Sequence, residues 1–287
     1  MDHELWTQLS HAMFDVARAF RRLSRQTYDT HGIVRVYLWA VLHDRPVDWA
    51  TRPANWSHST RPQRIPDQST MSRRLRSPDT ASFLDKLAKR LGGSGQTCLT
   101  KALDGKPLTV ARHSQDPHAT CGRGAGGMAK GYKLHAIWGG HPMPLAWSVQ
   151  PLNVSEVTEA KQLIPQLKDE GYLLGDANFD RNVLYDLAAE HGHQLLAPRQ
   201  LPGTGLGNRR HSPQRLRSIH LLEQSPSPFG RQLHHTRGAI EREFGGLVSF
   251  GGGLQSLPTW VRTLPRVRLF VHAKLIINAA RVRRIGA

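Results

Sequence analysis

Cysteine is scarce in this chain. There are only two, Cys98 and Cys121, and neither sits in a zinc-binding spacing, so a disulfide framework is excluded and a reducing compartment fits. Aromatic residues make up 7%, few for a surface that stacks sugars, which argues against a carboxylate-pair glycosidase. The longest apolar run, "VYLWAVL", is too short to span a bilayer, and "MDHELWTQLS" has neither the basic leader nor the apolar core of a signal peptide. A cytoplasmic protein without a membrane partner is expected. Sixteen histidines are present, but none is spaced for zinc.

Acids are the other shortage: 22 Asp and Glu stand against 39 Lys and Arg, a formal charge of +17. Such an excess points to a polyanionic partner, nucleic acid first. The imbalance is uneven. Residues 1–98 carry a balance of +6, residues 99–198 of −1 and residues 199–287 of +12. The last stretch keeps only Glu223, Glu241 and Glu243, so an acid surviving there calls for a reason. Hydrophobic residues at 39% suffice for a buried core.

Periodicity divides the chain near "GGSGQ", residues 92–96. Before it, "HAMFDVARAFRRLS", "GIVRVYLWAVLHD" and "TASFLDKLAKRLGG" repeat apolar residues three and four apart, predicting a helical region over 1–96. After it, "TCLTKALD" alternates, and Asp104 is expected to end that strand before a "GKPL" turn. "GYKLHAIWGG", "MPLAWSVQP", "YLLGD" and "HQLLAP" read as four further strands. Helices are expected after Asn153, with Glu156 completing a capping box, and after Asp180 as N-cap. The order β-β-β-α-β-α-β predicts an α/β layered sheet of five strands over 97–287. Residues 199–230 read as a long basic loop or partly ordered insert, and "LPRVRLFVHAKLIINAARVRR" as a closing apolar helix.

Three acids stand out against this background. Asp104 and Asp176 each end a strand, and a buried strand ending in a carboxylate needs a partner. Glu241 shares a helical face with Arg237 and Phe244 at i, i+4 and i+7. Adjacent carboxylates repel each other, and a hard divalent cation relieves that repulsion. On pattern alone, blander readings stay open. Asp176 suits a helix N-cap or turn, Asp104 a turn before glycine, and Glu241 a simple pairing with Arg237.

Together "LDGKPL", "SQDPHATCGRGAGGMAKGYKLHAIWG", "YLLGDANFD" and "RGAIEREFG" resemble the DDE transposases of bacterial insertion sequences, over nearly the whole chain. The resemblance implies a ribonuclease-H-like sheet and a metal site of Asp104, Asp176 and Glu241 for Mg²⁺ or Mn²⁺, two ions with DNA bound. It implies hydrolytic nicking at the element's terminal inverted repeats, then attack of the freed 3′-hydroxyl on target DNA. The double-stranded DNA partner is therefore both element end and target, and a homodimer is expected on paired ends. In that family the last acid lies in a pattern of Tyr, two residues, Arg, three residues, Glu, six residues, Lys. Here Arg237 and Glu241 match, while His234 stands at the Tyr position and Val248 at the Lys position. Arg237 and His234 are candidate phosphate contacts. A catalytically decayed DNA-binding relative and another ribonuclease-H-like nuclease are the rival readings.

End recognition needs a separate element. "IPDQSTMSRRLRS" is the candidate recognition helix of a helix-turn-helix-like region, with Gln68, Thr70, Arg73, Arg74 and Arg76 as candidate DNA contacts, and an ordinary surface helix is the other reading of the segment. Lys130 and Lys133 in "MAKGYKLH" are expected either to line the DNA path or to cap a sheet edge.

Overall fold

The computed structural model describes residues 3–20, 27–93, 97–124, 126–208, 210–250 and 253–285. Contacts divide the chain into two units. The first joins Met1–Ser94 to Gly246–Ala287, and the second is Gly95–Gly245. The expected boundary near 92–96 falls at this division, although residues 94–96 lie outside the described ones. The expected extent of the second region, 97–287, is corrected: the chain returns to the first unit at residue 246.

The first unit is helical: α1 (His3–Arg18), α2 (Thr30–Leu42), the short α3 (Val47–Ala50), α4 (Gln68–Arg74) and α5 (Pro78–Gly92). Ser77 caps α5 by accepting from the Thr80 N–H, and Gly93, at φ 82° and ψ 150°, ends it in a backbone conformation that favours glycine. The final helix of the chain, here α11 (Leu264–Ile285), packs on α1, α2 and α5. Its residues Val271, Ala273, Lys274, Leu275, Ile276, Ile277, Asn278, Ala279 and Ala280 are all buried. A segment enclosed on every side, as residues 273–280 are, belongs where the other apolar faces meet, which is why α11 joins this unit. Lys274 is fully buried, and its ammonium donates to the Val41 carbonyl at 2.9 Å and to Asp44 Oδ1 at 2.5 Å.

The second unit is built on a mixed α/β sheet. Its strands are β1 (Thr100–Thr109), β2 (Thr120–Gly124), β3 (Gly127–Trp138), β4 (Ala146–Pro151), β5 (Gly171–Leu174) and β6 (His193–Leu196). One edge of β3 carries β1, antiparallel from Ala102↔Trp138 to Thr109↔Gly131. Its other edge carries β4 and, toward the start of β3, β2. Beyond β1 come β5 and β6, both parallel. The expected five strands are all present, and β2 in the glycine-rich run is a sixth.

β1 also runs further than expected. Asp104 does not end it, and "GKPL" is strand rather than turn. β1 pairs with β5 only over Thr100–Ala102, so from Leu103 onward one of its edges is open and Pro107 needs no partner for a missing N–H.

One face of the sheet is covered by α6 (Glu156–Leu163) and α7 (Asn182–Glu190), with Leu103, Ile137, Ala160, Leu163, Leu173, Tyr185 and Leu195 in the core between. Neither predicted cap is the one used. Ser155 is the cap position of α6, while Asn153 bonds Thr120 through its side chain and backbone. Asp180 is buried and takes two hydrogen bonds from Arg215, at 2.6 and 2.7 Å, instead of capping α7. Of the two readings of residues 199–230, the partly ordered insert holds and the long loop does not: they contain α8 (Pro213–Ile219), a π turn over His220–Gln224 and the start of α9 (Phe229–His235). α10 (Gly238–Val248) follows.

Candidate active site

Asp104 lies in the middle of β1 opposite Ala136, and Asp176 follows β5, one strand over. The parallel register of β1 and β5 reaches Ala102↔Leu174, and carried two residues further it sets Asp104 level with Asp176. Asp104 Oδ1 accepts from the Gly105 N–H at 2.7 Å. Burial pushes the Asp104 carboxyl up to about 6; the Gly105 N–H and Arg237 oppose that rise, and the charges of Asp176 and Glu156 add to it. Asp176 caps a 3₁₀ turn (Ala177–Phe179), accepting from the Asn178 N–H at 2.9 Å and from its side-chain amide at 3.2 Å. The cap reading of Asp176 therefore holds alongside its place beside Asp104.

Arg237 occupies the turn between α9 and α10, and Glu241 lies in the first turn of α10. α10 is anchored by buried Ile240 and Phe244, the latter edge-on to Trp138 at 6.5 Å between ring centroids. From that seat the guanidinium bridges two acids, Asp104 Oδ2 at 3.5 Å and Glu241 Oε1 at 3.1 Å. Arg237 is 20% exposed and Glu241 65%, so the inner contact is sheltered and the outer one open to solvent. The i,i+4 pairing is thus real, and it reaches on to a residue 133 positions away. Among the described residues, no group of three or more His, Cys, Asp or Glu side chains is already gathered as a metal-ion cage.

His234 does not face outward as a phosphate contact would. Its Nε2 lies 2.9 Å from the carbonyl oxygen of Gly175, which requires the proton on Nε2. This ties α9 to the residue immediately before Asp176. Val248, the last residue of α10, is half-buried.

The two lysines are held by protein groups. Lys130 donates to the Ser114 carbonyl at 2.5 Å, and Lys133 pairs with Glu156 Oε1 at 2.9 Å, 12% and 17% exposed respectively. Glu156 went unrecognised in the sequence as a site residue because its spacing from Asn153 imitates a capping box. Its long-range partner, Lys133, carries no local signal.

In α4, the Asp67 cap accepts from the Thr70 N–H at 2.8 Å, and the Thr70 hydroxyl donates to the same carboxylate at 3.1 Å. Arg74 is turned inward, donating to the Tyr28 carbonyl and the Thr30 hydroxyl at 3.2 Å each, so it fastens α4 to the start of α2. Gln68, Arg73 and Arg76 are exposed, although Arg76 also donates to the Ser72 carbonyl. Arg199 and Arg215 of the basic insert are likewise engaged, by Glu223 and Asp180.

The family model described as the transposase DDE domain matches residues 99–276, more than half of the sequence. The chain belongs to the DDE transposase-domain family. No match was found among curated proteins or among solved structures. The matched span contains both aspartates, Arg237 and Glu241. Among the described residues, no helix is long and apolar enough to cross a membrane.

Proposed function

We propose that the protein is a transposase that binds the terminal inverted repeats of its own insertion sequence and performs metal-dependent strand cleavage and strand transfer. In this reading the sheet of the second unit is ribonuclease-H-like, and Asp104, Asp176 and Glu241 are the catalytic acids. The observation that carries the reading is the bridge from Asp104 to Glu241 through Arg237, with Asp176 close enough to raise the Asp104 carboxyl.

The donor set suits Mg²⁺ or Mn²⁺: three carboxylates and no thiolate or paired imidazoles, oxygen ligands that a hard cation prefers. Like charges on half-buried Asp104 and Asp176 are the electrostatic setting a divalent ion relieves. When bound, two such ions supply an activated water and stabilise the leaving oxygen of a phosphodiester. The chain's own residues do the rest. Arg237 offers a planar pair of donors, and a DNA phosphate competes with exposed Glu241 for the outer one. His234 fixes the helix pair against the end of β5 and so sets where that guanidinium stands. Gln68, Arg73 and Arg76 of the helical unit contact the element ends, and the unengaged arginines contact phosphates, so binding weakens steeply with salt. Paired ends bring two copies together as a homodimer.

The second reading is a DNA-binding protein of transposase origin without catalysis. It is favoured by His234 and Val248 at the Tyr and Lys positions, and by Arg237 standing between two of the three acids. Asp176→Asn separates the two. Nicking of end-containing duplex by the wild type, lost in Asp176→Asn with DNA binding unchanged, is the result expected. Retained nicking in that variant removes Asp176 from the site, and a wild type that binds ends without nicking them supports the non-catalytic reading.

A further inference from the structure

We propose that Glu156 is a positioning residue for Asp176, acting through Asn178 and anchored by Lys133. The proposal rests on the reading of Asp104 and Asp176 as catalytic acids. Glu156 is the first residue of α6, on the sheet face opposite Asp104's own side chain, yet its carboxylate reaches the strand ends. Oε1 holds Lys133 at 2.9 Å, and Oε2 accepts from the Asn178 side-chain amide at 3.4 Å. The same amide nitrogen donates to Asp176 Oδ2 at 3.2 Å, while the Asn178 backbone N–H donates to Oδ1 at 2.9 Å. A side-chain amide has two protons, and here each has a carboxylate. Asp176 therefore has both oxygens directed by one residue, and that residue is directed by Glu156.

The neighbourhood of Gly105 shows that this pair runs close beneath Asp104 as well. A Cβ on Gly105 would meet Lys133 Cδ at 2.9 Å and Glu156 Oε1 at 3.0 Å. One mostly buried ion pair thus touches the backbone beside one aspartate and orients the other. Groups that orient first ligands in this way alter metal affinity or activity by about 10–100-fold when removed. A pair serving only to close α6 onto the sheet would instead cost stability and leave turnover alone.

The test uses the full chain with Glu156→Ala, Glu156→Gln and Asn178→Ala; Asn178 is exposed, so its variant keeps the fold even if Glu156→Ala does not. Steady-state nicking of duplex DNA with Mn²⁺ should show kcat lower by about 10–100-fold in Glu156→Ala and Asn178→Ala. DNA KM should stay within about twofold, with Glu156→Gln intermediate because it keeps an acceptor. Mn²⁺ affinity without DNA, read by calorimetry, should fall about tenfold. The double variant should be no worse than Asn178→Ala, since the two act in series. Wild-type kcat and Mn²⁺ affinity in Asn178→Ala overturn the proposal while leaving the nuclease reading standing. If the wild type nicks no DNA, that reading fails and calorimetry decides: a tenfold weakening in Asn178→Ala supports the relay, and equal affinity, or no Mn²⁺ uptake by the wild type, overturns it.

Discussion

Lys101 and Arg237 are both cations set among carboxylates near opposite ends of the β1–β5 pair, and they are held in different ways. Lys101 is fully buried; its ammonium donates to the carbonyls of Cys98 and Glu170 and pairs with Asp169 Oδ1 at 3.1 Å. Three acceptors for three protons leave nothing to offer a ligand. Arg237 keeps one hand on sheltered Asp104 and the other on open Glu241, at 3.5 and 3.1 Å. The first arrangement closes the sheet. The second can be exchanged without disturbing the core, and that is the property a phosphate-handling site needs.

The contrast breaks most visibly at Lys101. Lys101→Met should lower unfolding free energy by about 3 kcal/mol in urea titrations, since Asp169 and two carbonyls lose a buried partner. Arg237→Ala should cost less than about 1 kcal/mol by the same measurement, its pairs being partly screened by solvent. Nicking should nevertheless fall about 10²-fold in that variant. Equal stability losses in the two would erase the distinction.

Asp180 and Arg215 sharpen it with pH. Burial raises the Asp180 carboxyl, but Arg215, the Gln200 N–H and Tyr185 outweigh that and hold it below the usual carboxylate range. A group depressed in the folded state contributes fully above its unfolded value of about 3.9 and loses that contribution as pH falls through the depressed one. Melting temperature should therefore drop as pH falls below about 4, and Asp180→Asn should flatten that part of the curve. The smallest effect on nicking is expected at His234→Ala, which should cost about 1 kcal/mol of stability for one hydrogen bond, with kcat falling more than DNA affinity.

These pairs also mark where the sequence was legible. Period-two and period-three-to-four patterns predicted β3 to β6 and most helices, because those elements bury one face. β2 escaped because two of the five residues of "TCGRG" are glycine and the rest show no apolar–polar alternation. β1 was cut short because Gly105 and Pro107 imitate a turn; glycine is there to let Lys133 and Glu156 pass, and proline is tolerated on an open edge. The acids were singled out by their places in sequence, and Glu241 with its i,i+4 partner Arg237, but the long-range partners were not. Asp180 met Arg215 rather than a helix end, and Glu156 met Lys133, pairs 35 and 23 positions apart that no local window contains. Arg74 and Lys130, expected on DNA, also donate to the carbonyls of Tyr28 and Ser114, 46 and 16 positions away.

The placement of α11 has a consequence for biosynthesis. Domains fold as units while the chain emerges. The sheet unit is complete at residue 245, whereas α1, α2 and α5 must wait for residues 264–285 before their apolar faces are covered. The nascent protein thus acquires its sheet before its helical bundle, and the bundle's first helices stay exposed to solvent and chaperones until residues 264–285 have been synthesised.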